Sequence, residues 1–199
     1  MQFPLPPIRD NVHHWIIWRN AFGADEVKRC IDLCETLPKS GGTTFDSGTA
    51  ALPAASVRRS QVSWVEPTPQ STWLFDKVAY LCNDMNSKFF RFDLSGIYEP
   101  LQYTVYEPSA DGKPGHYTWH MDRGDNITPR KLSIVVQLSS PTDYTGGDLE
   151  LFFADPGVKA PRGLGHVAAF PSFLMHRVTA VTQGVRRSLV IWVGGPGFR

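Results

Sequence analysis

Leu101-Gln-Tyr-Thr-Val-Tyr106 and Leu132-Ser-Ile-Val-Val-Gln-Leu138 decide the fold class. Both runs are short, rich in β-branched and aromatic residues and free of helical periodicity. Three further runs of the same texture follow, over residues 149–153, 166–170 and 188–193. The breaks between them carry Pro, Gly, Asp and Ser, among them Gly146-Gly147-Asp148 and Asp155-Pro156-Gly157. Many short strands with such punctuation predict an antiparallel sandwich or barrel of about 100 residues.

Upstream of residue 96 the texture differs. Val27, Cys30, Ile31 and Cys34 recur at helical spacing, which predicts a helix over 24–37 that Pro38 stops. A second helix is expected over about 69–88, with Trp73, Leu74, Val78, Leu81 and Met85 as its core-facing stripe. Residues 39–55, rich in Gly, Ser, Thr and Ala, read as a flexible loop, and residues 57–64 as extended. The chain therefore reads as an N-terminal helical support region, 1–95, packed on a β core, 96–199, the two forming one structural domain.

Composition bounds the function. Of 199 residues, 42% are hydrophobic, and 20 Lys and Arg stand against 19 Asp and Glu, so no charge footprint points to nucleic acid or an anionic membrane. No stretch approaches the ~20 apolar residues of a membrane helix. Residues 1–9 contain three prolines and no apolar core of a secretion signal. Cys30, Cys34 and Cys82 are an odd, sparse set, which suits reduced thiols in a cytoplasmic setting. Cys30 and Cys34, one helical turn apart, have the spacing to share a metal, but read better as small core hydrophobes.

Tyr117-Thr-Trp-His120-Met-Asp122 carries the chemistry. Residues two apart on an extended segment face the same side, so His120 and Asp122 can reach one metal ion. His176, following the run that ends at Phe170-Pro171, is the candidate third ligand. Two histidines and one carboxylate on a single face leave positions open for a co-substrate and dioxygen, the iron(II) arrangement. His-x-Asp alone also occurs in zinc hydrolases. Arg186, ten residues beyond His176, weighs against that reading, because a fixed guanidinium fork near a metal suits the far end of a dicarboxylate. Its neighbour Arg187 reads as a solvated strand-end charge.

Taken together, these segments resemble the prolyl 4-hydroxylase-like iron(II)/2-oxoglutarate oxygenases, particularly the PKHD-type hydroxylases. The resemblance runs from residue 101 to 198 through 101–106, 115–122, 130–138, Gly146-Gly-Asp-Leu-Glu-Leu151 and 176–186, with weaker similarity over 57–64. It implies a mainly β chain with flanking helices, built as a double-stranded β-helix (a cupin-like jelly roll). It implies Fe(2+) on His120, Asp122 and His176, 2-oxoglutarate on Arg186, and O2 as oxidant, with ascorbate as supporting reductant. Tyr106 and Ser133 match positions that assist cofactor binding in that family. The implied reaction is hydroxylation of an unactivated C–H bond, of a prolyl or other residue in a protein or peptide, with release of succinate and CO2. A free amino acid or other small molecule remains an alternative substrate, and a zinc enzyme or non-catalytic metal-binding jelly roll an alternative of another class.

Around that site, Tyr117 and Trp119 are expected to line the pocket, since both lie on the segment of the first ligand. Arg58 and Arg59 are either substrate contacts or plain surface charge. His116 and Asp125 read as loop or surface residues, and His13 and His14 are given no metal role. Residues 39–55 and 111–114 are the candidate lids.

Overall fold

A computed structural model of the chain describes residues 13–42, 54–123, 129–153 and 156–197. Most of the first lid candidate (43–53) and Asp125 fall outside these residues. The chain opens with a short strand, β1 (Ile16–Trp18), and a helix, α1 (Ala24–Glu35). A two-residue strand, β2 (Ser40–Gly41), precedes a short helix, α2 (Ala54–Val57), and strands β3 (Arg58–Arg59) and β4 (Gln61–Val65). The long helix α3 (Thr72–Met85) continues into a π-turn (Asn86–Phe90). Nine strands complete the fold: β5 (Leu101–Tyr106), β6 (Gly115–His120), β7 (Arg130–Gln137), β8 (Tyr144–Gly146), β9 (Leu149–Leu151), β10 (Val158–Lys159), β11 (Val167–Pro171), β12 (His176–Gly184) and β13 (Arg186–Gly194).

The strands form two antiparallel sheets. The larger has the order β1-β11-β7-β13-β5-β4-β2, the smaller β10-β9-β12-β6-β3, with β8 also pairing β12. This is the expected jelly roll. The expected extended segment 57–64 proves to be two strands. Arg58 and Arg59 pair with β6 in the smaller sheet, whereas Gln61 to Val65 pair with β5 in the larger one. A period of two marks an extended chain but cannot tell which sheet it joins, so the crossover at Ser60 left no trace in the pattern. The N-terminal region is likewise more than a helical support: β1, β2, β3 and β4 are strands of the two sheets themselves.

The long strands of the larger sheet send alternate residues to its two faces. Leu101, Tyr103 and Val105, Leu132, Ile134 and Val136, and Leu189, Ile191 and Val193 pack with Val27, Cys30, Cys34, Leu74, Val78 and Met85 of the helices. All three cysteines are buried free thiols in this layer, as small hydrophobes. Fully burying one such aliphatic side chain contributes about 1.5–3 kcal/mol, so this layer anchors the sheet and leaves its other face for function. That other face carries Gln102, Tyr106, Ser133, Gln137, Arg186, Ser188 and Trp192, looking towards the smaller sheet.

Both long helices are two or three residues shorter at an end than expected. α1 stops at Glu35 because the Thr36 hydroxyl and amide both turn back to the Leu33 carbonyl. α3 starts at Thr72 because Thr68 and Ser71 close a hydroxyl-capped turn over Pro69. Its far end is set by Asn86, whose side chain bonds both N–H and C=O of Phe92, while Arg91 turns left-handed at φ 54°.

Candidate metal and co-substrate site

His120 ends β6, Asp122 lies two residues beyond it, and His176 begins β12; the register places His120 directly opposite His176. The ligand atoms of the three lie within 4.8 Å of one another. Asp122 is held at two points: its amide donates to the Ser172 carbonyl (2.8 Å) and Ser133 Oγ donates to its Oδ2 (2.9 Å), while Ser172 Oγ backs Ser133 Oγ at 3.0 Å. Each histidine donates its Nδ1 proton to a backbone carbonyl two residues earlier, His120 to Thr118 (2.8 Å) and His176 to Leu174 (2.9 Å). That fixes the tautomer and turns both Nε2 atoms inward, 3.7 and 3.3 Å from the Asp122 carboxylate.

Electrostatics favour the metal-ready state of two of the three groups. Burial, followed by the charge of His176, pushes His120 down to about 3, so its ring is neutral. Burial opposes ionisation of Asp122, but His176 and then His120 outweigh it and hold the carboxyl well below its usual range. For His176 burial acts downward, yet the adjacent Asp122 carboxylate wins and the net shift is upward. Two neutralisable imidazole nitrogens and one carboxylate, convergent and backed by carbonyls, are a donor set suited to Fe(2+).

Arg186 opens β13 and lies on the same cavity as the triad, a space of about 290 Å³ between the sheets. Among the described residues it is one of the largest fully buried side chains, at 1% exposure. Nη1 donates to Ser188 Oγ (3.3 Å), Nη2 to Gln137 Oε1 (3.2 Å), and the buried Nε has no partner. Among the described residues no carboxylate lies within ion-pair distance. A buried guanidinium without a counter-ion is expensive unless a ligand supplies one. Tyr106 lies directly opposite in the register, its ring 5.4 Å from the guanidinium carbon. Gly147, at φ +65°, makes room for this side chain: a Cβ there would sit 3.0 Å from Arg186 Cδ and 2.8 Å from Val181 Cγ2.

The other expected site residues divide. Tyr106, Tyr117 and Arg58 line the cavity; Trp119 and Arg59 do not. Trp119 packs on the outer side of the smaller sheet, edge-on to Phe152 (5.3 Å) and under Arg177 (4.5 Å). The reason is a β-bulge. His176 and Val178 are two apart on β12, but their partners His120 and Tyr117 are three apart on β6, so Tyr117 faces inward with His120 and Trp119 faces out. Arg59 alternates away from Arg58 and reaches Ser109 (3.3 Å) and Asp111 (3.9 Å) on the 109–113 turn. Ser133 is placed against Asp122, as a support of the carboxylate. Of the second lid candidate, residues 111–114, none lines the cavity; they form the turn between β5 and β6.

Sequence reasoning missed Gln137, Ser188, Ser172 and the mouth of the cavity. There Arg130, bound to Glu99 (Nε to Oε1 2.6 Å), stacks over Trp192 at 3.6 Å beside the half-exposed Trp64. The available signal was parity: Ser188 and Trp192 share the face of Arg186 on β13, and Gln137 and Ser133 share one face of β7.

The fold and this cluster define a class. The family model described as the 2OG-Fe(II) oxygenase superfamily matches residues 101–194, from β5 to the end of β13. A PKHD-type hydroxylase of Burkholderia ambifaria is 30% identical over 172 residues, 81% of this chain and 71% of that one. A PKHD-type hydroxylase of Hyphomonas neptunium is 36% identical over 101 residues, 47% of this chain and 44% of that relative, so the chain spans under half of the latter's length. In fold, the chain is similar to a Trichoplax adhaerens prolyl hydroxylase solved with a hypoxia inducible factor peptide fragment. That likeness has a TM-score of 0.73, 18% identity and coverage of 93% of this chain and 85% of the other. The chain belongs to the PKHD-type hydroxylases of the 2OG-Fe(II) oxygenase superfamily.

Proposed function

We propose that the chain is an Fe(2+)- and 2-oxoglutarate-dependent dioxygenase that hydroxylates an unactivated C–H bond, releasing succinate and CO2. The observation that carries this reading is Arg186, a buried guanidinium with no carboxylate partner among the described residues, facing the cavity that holds His120, Asp122 and His176. Hydrolysis at a zinc ion needs no dicarboxylate co-substrate, so such an anchor favours the oxygenase reading.

The residues then have distinct tasks. His120, Asp122 and His176 would hold Fe(2+), which when bound supplies the activation of O2 that the protein side chains cannot. Arg186 would grip the far carboxylate of 2-oxoglutarate in a poorly hydrated space, where a charge-assisted bond is strong. Tyr106 stands beside Arg186 along the wall that the co-substrate would follow. Ser133 and Ser172 keep the Asp122 carboxylate aimed, and the Thr118 and Leu174 carbonyls keep both Nε2 atoms inward. Ascorbate would serve as supporting reductant, and the three free thiols suit a cytoplasmic location.

The substrate we assign is a residue within a polypeptide, prolyl first. Support comes from the open side of the cavity, where Trp64 and Met121 stay 41% and 44% exposed. Apolar side chains left facing water beside a reaction centre suit a partner larger than a free amino acid. The Trichoplax relative in fold binds a peptide, which agrees with this choice. A screen of succinate release over basal turnover tests it. Proline-containing peptides should stimulate release; stimulation by free amino acids or nucleic acid alone would overturn the substrate class.

A further inference from the structure

A ligand histidine needs its ring fixed in two senses, rotation in its own plane and tilt out of it. The Thr118 carbonyl bonds Nδ1 of His120 and fixes the first. The second has a separate device. The Tyr117 ring lies on the His120 ring with centroids 3.4 Å apart and planes 13° apart, a full face-to-face stack. Arg58 also lies over the Tyr117 ring, its guanidinium carbon 4.7 Å from the centroid. The ligand ring therefore rests on Tyr117, which Arg58 in turn contacts, and this contact opposes its tilt.

The backbone goes out of its way to build it. In a regular strand, residues three apart face opposite sides of the sheet. The bulge between His120 and Tyr117 on β6 inserts the extra residue that brings both rings to the cavity side. Strand β3 then pairs Arg58 with Tyr117, which brings Arg58 to that ring. The Tyr117 ring thereby presents its electron-rich aromatic face to the His120 imidazole. An imidazole gains positive character on binding a divalent cation, and such a face attracts it.

We infer that Tyr117 is a positioning residue for the metal, a shelf that fixes the tilt of His120 and favours its metal-bound form through ring stacking. The inference rests on reading His120 as a metal ligand. It assigns Tyr117 a task independent of the substrate, and it assigns that task to the aromatic face, so the phenolic hydroxyl is dispensable.

The test is anaerobic titration of the metal-free protein with Co(II), followed by the visible absorption of the bound ion, with wild type, Tyr117→Phe, Tyr117→Leu and Tyr117→Met. Removing a group that orients a ligand typically costs about 10-fold or more in metal affinity. Leu and Met variants that keep a cooperative thermal transition should therefore bind Co(II) about 10-fold more weakly, whereas Phe should stay within about twofold of wild type. Wild type should also show a tyrosine difference signal in the near ultraviolet on metal binding, lost in Tyr117→Phe; this readout does not depend on the Leu and Met variants folding. Wild-type affinity in the Leu or Met variant, equal losses in Phe and Leu, or no tyrosine signal in wild type would overturn the shelf while leaving the metal site standing. Failure of wild type to bind Co(II) at all would overturn the ligand assignment and the shelf together.

Discussion

Replacing Arg186 by Met should move stability and co-substrate binding in opposite directions. The guanidinium is 1% exposed, holds only two neutral acceptors at 3.3 and 3.2 Å, and leaves Nε unbonded. Without co-substrate it is a buried charge lacking a counter-ion, so an unbranched apolar side chain of similar reach removes a desolvation cost. Replacing even a paired buried charge by apolar side chains is neutral to stabilising, by up to about 4 kcal/mol, and this charge has no pair to lose. At about 2–4 °C per kcal/mol for a chain of this size, the metal-free, co-substrate-free variant should melt a few degrees above wild type. With 2-oxoglutarate the order reverses. Breaking a buried charge pair costs about 3–5 kcal/mol, which at 1.4 kcal/mol per decade raises the half-saturating 2-oxoglutarate concentration about 100- to 3000-fold. The iron requirement should change little, because Arg186 is not among the groups that converge on the metal. Thermal denaturation with and without 2-oxoglutarate, using Mn(II) to prevent turnover, and succinate formation against 2-oxoglutarate concentration read both effects. A variant that melts lower than wild type and keeps its 2-oxoglutarate requirement would refute the reasoning.

Other consequences follow from the same geometry. Ser133→Ala removes the hydrogen bond to Asp122 Oδ2 and should weaken Co(II) binding about 10-fold with little change in 2-oxoglutarate dependence, read by titration and succinate assay. Gly147→Ala forces a Cβ into Arg186 and Val181 at a positive φ and should cost about 1–3 kcal/mol in urea unfolding. Gly112→Ala, also at positive φ but with open space around it, should cost about 1 kcal/mol. Metal affinity should rise with pH: the His176 pKa is raised, so in the metal-free protein it keeps its proton to higher pH and the metal must displace it, whereas His120, pushed down to about 3, has none to lose. Proton release on Co(II) binding should therefore be largest below the raised His176 pKa and fade above it; release that grows with pH would contradict this assignment.

The β architecture was legible because five of the strands are apolar runs cut by Gly, Pro and Asp, and the metal triad because His120 and Asp122 sit two apart. Arg186 was legible only through its distance from His176. What stayed hidden depended on register. The bulge between Tyr117 and His120 turns Trp119 out and Tyr117 in, and nothing in Tyr-Thr-Trp-His signals the extra residue. The crossover at Ser60 separates Arg58 from Val62 into different sheets within one extended run. β12 was overlooked because its exposed Thr182 to Gly184 tail dilutes its apolar alternation, although its pairing with β6, β8 and β9 makes it central to the smaller sheet. Ser133 matched a cofactor position by pattern, but its partner, the Asp122 carboxylate, is set by where the chain turns after β6.

The central claim is that His120, Asp122, His176 and Arg186 together form one oxygenase site. The direct measurement is succinate formed from 2-oxoglutarate by the protein reconstituted anaerobically with Fe(2+) and then exposed to O2, without added substrate. The account predicts slow succinate release that requires both Fe(2+) and O2, and that His176→Ala and Arg186→Met each abolish at low 2-oxoglutarate. No succinate from the fully iron-loaded protein, together with tight retention of Zn(2+) at the same three ligands, would contradict it.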